Sequence, residues 1–121
     1  MTFGESINTC FKKYVDFNGR ASRSEFWFFE LFLLILTLIT VVLDYAIFPF
    51  HEWGPINTVL TIATFFPAIA VAARRLHDSN YSGWLQLIAI TVIGLIPLLI
   101  WWIQKGDEGS NRFGSDPVTN Q

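Results

Sequence analysis

Apolar positions run in three long blocks along the chain, separated by short polar stretches. The first block, 26–43, reads FWFFELFLLILTLITVVL and contains one charge, Glu30. The second, 56–73, has no charge, and the third, 84–103, is uncharged but interrupted by Gly94 and Pro97. A helix of 18 residues rises about 27 Å, close to the roughly 30 Å hydrocarbon thickness of a bilayer. The blocks therefore predict three membrane-spanning helices, 26–43, 56–73 and 84–103. The uncharged stretch 79–104 is long enough for one tilted crossing but too short for two. A re-entrant hairpin around the Gly94–Pro97 interruption is the alternative there, provided protein shields its backbone.

The polar stretches carry start and stop signals. Ser22-Arg23-Ser24-Glu25 fits a capping box directly ahead of the first block. Pro49, Gly54 and Pro55 mark a short loop between the first two blocks. Pro67 lies inside the second block, where a kink near Phe65-Phe66 is expected. Ahead of all this, Phe3, Ile7, Cys10, Phe11, Tyr14 and Val15 recur at helical spacing opposite Glu5, Asn8, Lys12 and Lys13. Residues 3–16 thus form an amphipathic helix, lying in the membrane interface or packed on the protein's own cytoplasmic face. The segment 105–121 is rich in Gly, Asp, Ser and Asn and reads as turns and a flexible end. No strand pattern is evident, so the fold class is an all-α integral membrane protein.

Composition strengthens this picture. The chain has 121 residues, 52% hydrophobic and only 15% charged, against about 25% charged in soluble domains. A net charge of −2 gives no basic footprint for nucleic acid. The single cysteine, Cys10, cannot form an intrachain disulfide, and no Cys/His spacing suggests zinc. No short apolar run ending at a small-residue cleavage site precedes Phe26, so the first block is expected to remain in the mature protein.

Charge also sets orientation. All five tryptophans (Trp27, Trp53, Trp84, Trp101 and Trp102) fall near predicted interfaces. Lys12, Lys13, Arg20, Arg23, Arg74 and Arg75 lie before the first block or in the 74–83 hinge, while the loop after the first block has no Lys or Arg. The positive-inside rule then puts the N-terminus and the hinge in the cytoplasm. Three full crossings would place the tail, with Lys105 and Arg112, outside.

Three separated motifs remain. They are Phe17-Asn18-Gly19-Arg20-Ala21-Ser22-Arg23-Ser24-Glu25-Phe26-Trp27, then Arg74-Arg75-Leu76-His77-Asp78 with Ser82-Gly83-Trp84, then Gly106-Asp107-Glu108-Gly109-Ser110-Asn111-Arg112-Phe113-Gly114-Ser115-Asp116-Pro117. In this order, with apolar spans between them, they closely resemble the DUF805 family of small bacterial inner-membrane proteins, over nearly the whole chain. The resemblance implies a multi-pass protein of the bacterial inner membrane and brings no activity, cofactor or catalytic residue with it. Asn80 stands where many members have Gly, a minor departure.

On the inferred topology Arg20, Arg23, Glu25, Arg74, Arg75, His77 and Asp78 share one membrane face, with Glu30 about one turn deeper. These eight residues are the candidate site. Structurally, arginines would hold the span ends in the headgroup layer and carboxylates would neutralise those that are buried. Functionally, a guanidinium cluster suits phosphate, and lipid headgroups are the natural ligand. A carboxylate within a span is costly, so Glu30 is expected to pair with Arg74 or Arg75. His77-Asp78 makes a poor acid–base dyad, because neighbours on a helix point about 100° apart. Asp107 to Asn111 superficially suggests a calcium loop but lacks the EF-hand spacing. The sequence thus points to a non-enzymatic membrane component without cofactor or metal, whose partners are membrane lipids, further copies of itself or another membrane protein. The alternative is a subunit of a small oligomeric transporter or channel, with Thr58, Thr61, Thr64 and Glu30 as lining.

Overall fold

The structure is a computed structural model that describes residues 2–118. It contains four α-helices and one 3-10 helix, and no strand among the described residues. Helix α1 (Phe3–Lys12) starts at Thr2, whose hydroxyl accepts from the Glu5 N–H. Helix α2 (Arg23–Ile47) starts at Ser22, whose hydroxyl accepts from the Glu25 N–H at 3.3 Å, as the capping signal predicts. Helix α3 (Pro55–Asp78) follows a short loop and packs along α2. Both α2 and α3 are long and apolar enough to cross a membrane. Leu34, Leu38 and Val42 on α2 and Val59, Ile62 and Phe66 on α3 are exposed, a surface suited to lipid rather than water.

At the loop end the pairing of α2 and α3 is fixed by Asp44. Its carboxylate accepts from the N–H groups of Ile56 and Asn57 at 2.8 and 2.9 Å. The preceding helix therefore caps α3, whose own cap residue, Gly54, has no side chain to do so. Gly54 must be glycine for the same reason, since a Cβ there would sit 2.3 Å from the Asp44 carboxylate. Deeper in, Thr40 donates to the Asn57 side chain at 2.9 Å.

Helix α3 continues unbroken through Pro67. Proline has no N–H, so the carbonyl of Ala63 four residues earlier loses its helical partner. The Tyr14 hydroxyl, arriving from the segment after α1, donates to that carbonyl. Helix α1 is thus packed on the protein. Ser6 and Cys10 are buried, and Phe3 and Phe11 meet Phe28, Phe29 and Phe32 of α2 edge-on. Phe3 and Phe11 remain partly exposed beside these contacts.

The third apolar stretch differs from the single helix 84–103 that the pattern predicts. It divides into a 3-10 helix (Gly83–Ile90) and a short helix α4 (Val92–Ile103). Thr91 makes the break, its hydroxyl donating to the Ile88 carbonyl and accepting from the Gly94 N–H. A Cβ on Gly94 would lie 1.9 Å from the Ile88 carbonyl oxygen, so the glycine is what lets the chain turn here. Eight residues at about 2 Å and twelve at about 1.5 Å give two arms of roughly 16 and 18 Å, each about half a bilayer. Both ends of this hairpin lie at the same end of α3. Gly83 enters against Ala73, where a Cβ would come within 2.8 Å. Trp102 and Gln104 leave with their carbonyls bonded to Arg75.

The tail is equally well placed. Residues 105–118 fold over the C-terminal end of α3, the Asp107 N–H donating to the Asp78 carbonyl at 2.6 Å. The expected flexible end is therefore an ordered turn over its described part, and residues 119–121 lie outside the described residues. The buried apolar core, with Cys10, Ala21, Phe26, Phe29, Val71 and Ala72, sits beneath this polar cap.

Candidate functional site

The polar cap is built on the last two and a half turns of α3, in which every residue from Ala70 to Asp78 is buried. Arg74 and Arg75 are fully buried, and Asp78 is 3% exposed. Arg74 pairs with Glu25 on the first turn of α2. Asp78 lies between two arginines, with Arg20 Nε at 2.9 Å and Arg75 Nη1 at 2.7 Å. Three guanidinium groups therefore share two carboxylates. The surplus positive charge meets backbone oxygen. Arg75 donates to the carbonyls of Ala21, Trp102 and Gln104. Arg20 donates to those of Asp78, Asp107, Gly109 and Gly114. The C-terminus of α3 also carries the negative end of its helix dipole into this cluster.

The rest of the cap closes around these groups. His77 Nδ1 is 2.9 Å from the Gly19 carbonyl, and its ring stacks on Phe113 with centroids 3.8 Å apart. The Arg112 guanidinium lies 4.6 Å from the other partner of that stack, the Phe113 ring. Asn111 donates to the His77 carbonyl. Asn80 adopts the left-handed conformation, φ 64°, which explains why a glycine-like residue is required there. Gly106 is needed for the tail to approach, since a Cβ would fall 1.7 Å from an Asp78 carboxylate oxygen.

Seven of the eight candidate residues thus lie at one end of the molecule, six of them in contact through ion pairs or the adjoining backbone. Arg23 is at the rim, exposed and without an ion pair among the described residues. The expected pairing of Glu30 with Arg74 or Arg75 is absent. Glu25 and Asp78 take those arginines instead. Glu30 is five residues further along α2 than Glu25, about 7.5 Å deeper, and has no ion pair among the described residues. Asp78 pairs with Arg75 three residues before it rather than with Arg74 four before it. His77 and Asp78 turn to different partners and do not form a dyad.

Sequence reasoning missed two participants. Cys10 donates its thiol to the Glu25 carboxylate at 3.8 Å, and burial, with that carboxylate adding to it, pushes the thiol up to about 12. It is therefore an inert packing group rather than a nucleophile. The tail carbonyls that hold Arg20 lie in a segment whose composition predicts only turns and a flexible end. Their only advance signal is Gly106 beside Asp107, a glycine ahead of a turn. Two open cavities lie against the cap among the described residues. One, of about 330 Å³, lies between Arg23 and the 105–109 turn, and the other, of about 410 Å³, lies between α1 and the tail at Lys13 and Phe113. Among the described residues no group of three or more His, Cys, Asp or Glu could hold a metal ion.

Comparison with known proteins gives inner-membrane relatives. Residues 14–115 match the family described as protein of unknown function, DUF805. The chain is 40% identical over 107 residues to the inner membrane protein YhaI of Escherichia coli strain K12, covering 88% of this chain and 89% of that one. It is 39% identical over 113 residues to the inner membrane protein YhaH of the same strain, covering 88% and 90%. No solved structure matches the chain.

Proposed function

The chain belongs to the DUF805 family, and on that premise we propose that it is a non-enzymatic component of the bacterial inner membrane that holds phospholipid headgroups at the rim of its polar cap. The observation that carries this reading is the division of labour among the cations. Arg20, Arg74 and Arg75 are turned inward and held by carboxylates and carbonyls, so they position the tail, the hairpin and α1 rather than meet a substrate. Arg23 and Lys105 remain outward, beside the tryptophan pair Trp27 and Trp102, whose indole N–H and carbonyl are bonded at 3.2 Å. Amphipathic cations next to aromatic rings are what a headgroup layer selects. Three of the four groups named for a pore lining, the hydroxyls of Thr58, Thr61 and Thr64, donate to carbonyls of their own helix or its cap, which weighs against the pore reading.

Phospholipid is expected to co-purify with the protein in mild detergent. Reversing both rim charges, Arg23→Glu with Lys105→Glu, should lower the bound phosphorus severalfold while the elution volume stays the same. Unchanged lipid content in the double variant refutes the headgroup role.

The reading includes a topology of two crossings, α2 and α3, with the third apolar segment entering and leaving on one side. All eight Lys and Arg then belong to the cap side, since the loop 48–54 has none, and the positive-inside rule makes that side cytoplasmic. Reporter fusions at Met1 and at Gln121 should both be active only in the cytoplasm. A C-terminal reporter active only outside restores the three-crossing topology.

A further inference from the structure

Packing around α2 and α3 is concentrated at one end of the pair. Toward the loop 48–54, Thr40 and Asp44 alone are buried within residues 38–47 of α2, and both turn to α3. Leu38, Ile39, Val41, Val42, Leu43 and Tyr45 around them are exposed. On α3 no residue from 55 to 63 is buried, whereas every residue from 70 to 78 is.

The third apolar block stops halfway along α3. Gly83 enters against Ala73, and the Gln86 side chain donates to the Ile69 carbonyl at 3.4 Å, so the 3-10 arm descends along α3. At about 2 Å per residue, its last residue, Ile90, comes level with the stretch around Ala63. Thr91 then turns the chain, and α4 climbs back to Arg75.

Helix α1 stops at the same depth. Phe3 and Phe11 both meet the Phe32 ring, at 6.3 and 6.1 Å. About 12 Å of α1 therefore faces one level of α2, and α1 lies across that helix rather than along it. Ser6 and Cys10 turn up to Ser24 and Glu25. Phe3 and Phe11 turn down to Phe28, Phe29 and Phe32. Tyr14 reaches deepest, to the Ala63 carbonyl, about 16 Å below Arg74 along α3. With α2 and α3 crossing the bilayer, α1 lies flat in the cytoplasmic leaflet with its aromatic stripe toward the acyl chains.

Among the described residues, five helical elements thus occupy the cytoplasmic leaflet, and only α2 and α3 continue through the outer one. With upright helices roughly 10 Å across and α1 roughly 15 Å long, the cross-section is about three times larger on the cytoplasmic side. We propose that the protein is a wedge that responds to membrane shape, and that its preferred partner is a bilayer whose cytoplasmic leaflet is convex. A convex leaflet has more area than the leaflet opposite it, so the wide end fits there with least disturbance of the lipid. An amphipathic helix lying in the interface is sensitive to curvature for the same reason. The proposal rests on the two-crossing topology above and is independent of which lipid Arg23 holds.

The test uses the full-length chain, fluorescently labelled, with different epitope tags at Met1 and Gln121. It is placed in giant vesicles of phosphatidylethanolamine and phosphatidylglycerol, and narrow tubes are drawn from them. Vesicles with both tags outside carry the cap on the convex leaflet, and there the protein should be enriched severalfold in the tube relative to a lipid dye. Vesicles with both tags inside should show depletion instead. Equal partition in both orientations, or the same sign in both, overturns the wedge and leaves the topology standing. A second copy packed on the bare half of α2 and α3 would give that result by filling the narrow end. Tags on opposite sides of the bilayer remove the topology and the wedge with it.

Discussion

Replacing Arg74 with methionine is expected to remove most of the folded protein from the membrane. The change leaves the Glu25 carboxylate, 3% exposed, without its cation. Breaking a buried pair in this one-sided way costs about 3–5 kcal/mol, a large share of the 5–15 kcal/mol that holds a typical domain together. The thermal midpoint in detergent and the protein level in membranes both report it. Removing both charges has the opposite logic. Arg74 Nε and Nη2 are buried with no partner among the described residues, so the pair carries desolvation that its one ion contact does not fully offset. Arg74→Met combined with Glu25→Leu should therefore recover most of the lost stability. A single variant as stable as the parent, or a double variant no better than the single, contradicts this account of the pair.

Asp78→Asn should be nearly as severe, and its effect should spread. The carboxylate separates Arg20 from Arg75 and, among the described residues, is the only negative side chain with which either one forms an ion pair. With asparagine there the two buried guanidinium groups keep one neutral amide oxygen and the backbone carbonyls, and no negative charge lies between them. The expected loss is again about 3–5 kcal/mol. The loss should appear first in the tail, because Arg20 is the group that holds the carbonyls of Asp107, Gly109 and Gly114. Hydrogen exchange of residues 106–116 should rise to that of an unfolded segment, while the middle of α2 stays protected. Uniform exchange across the whole chain, or an unaffected tail, argues against Arg20 as the clasp.

The two variants probe features with different degrees of sequence signal. The start of α2 could be predicted from Ser22 and Glu25, and the ends of the first two apolar blocks from hydropathy, because caps and burial in lipid are set by residues a few positions apart. The resemblance to DUF805 rested on motifs that the fold brings together. The partner of Glu30 could not be read in this way. A sequence places Glu25 and Glu30 five residues apart on one helix, but which of them is level with Arg74 depends on the sliding register of α2 against α3. That register is set by Asp44 capping α3 at the far end and by small residues packing at the near end. The third block shows the same division. Gly94 and Pro97 marked an interruption, but only the anchoring of Trp102 and Gln104 to Arg75 brings the end of the block back to the end of α3 at which it starts.

By itself the sequence determined that this is a helical membrane protein, where its first long helix starts, and which ends of the first two apolar blocks carry the cations. These follow from hydropathy, capping and charge, which act along the chain over one or two turns. Tertiary structure alone decided which carboxylate meets which arginine, that the tail is part of the cap, and that both arms of the third block return to the same end of α3. Those outcomes depend on contacts between residues 49, 58 and 89 positions apart. Nothing local selects among the possible partners until the helices have docked.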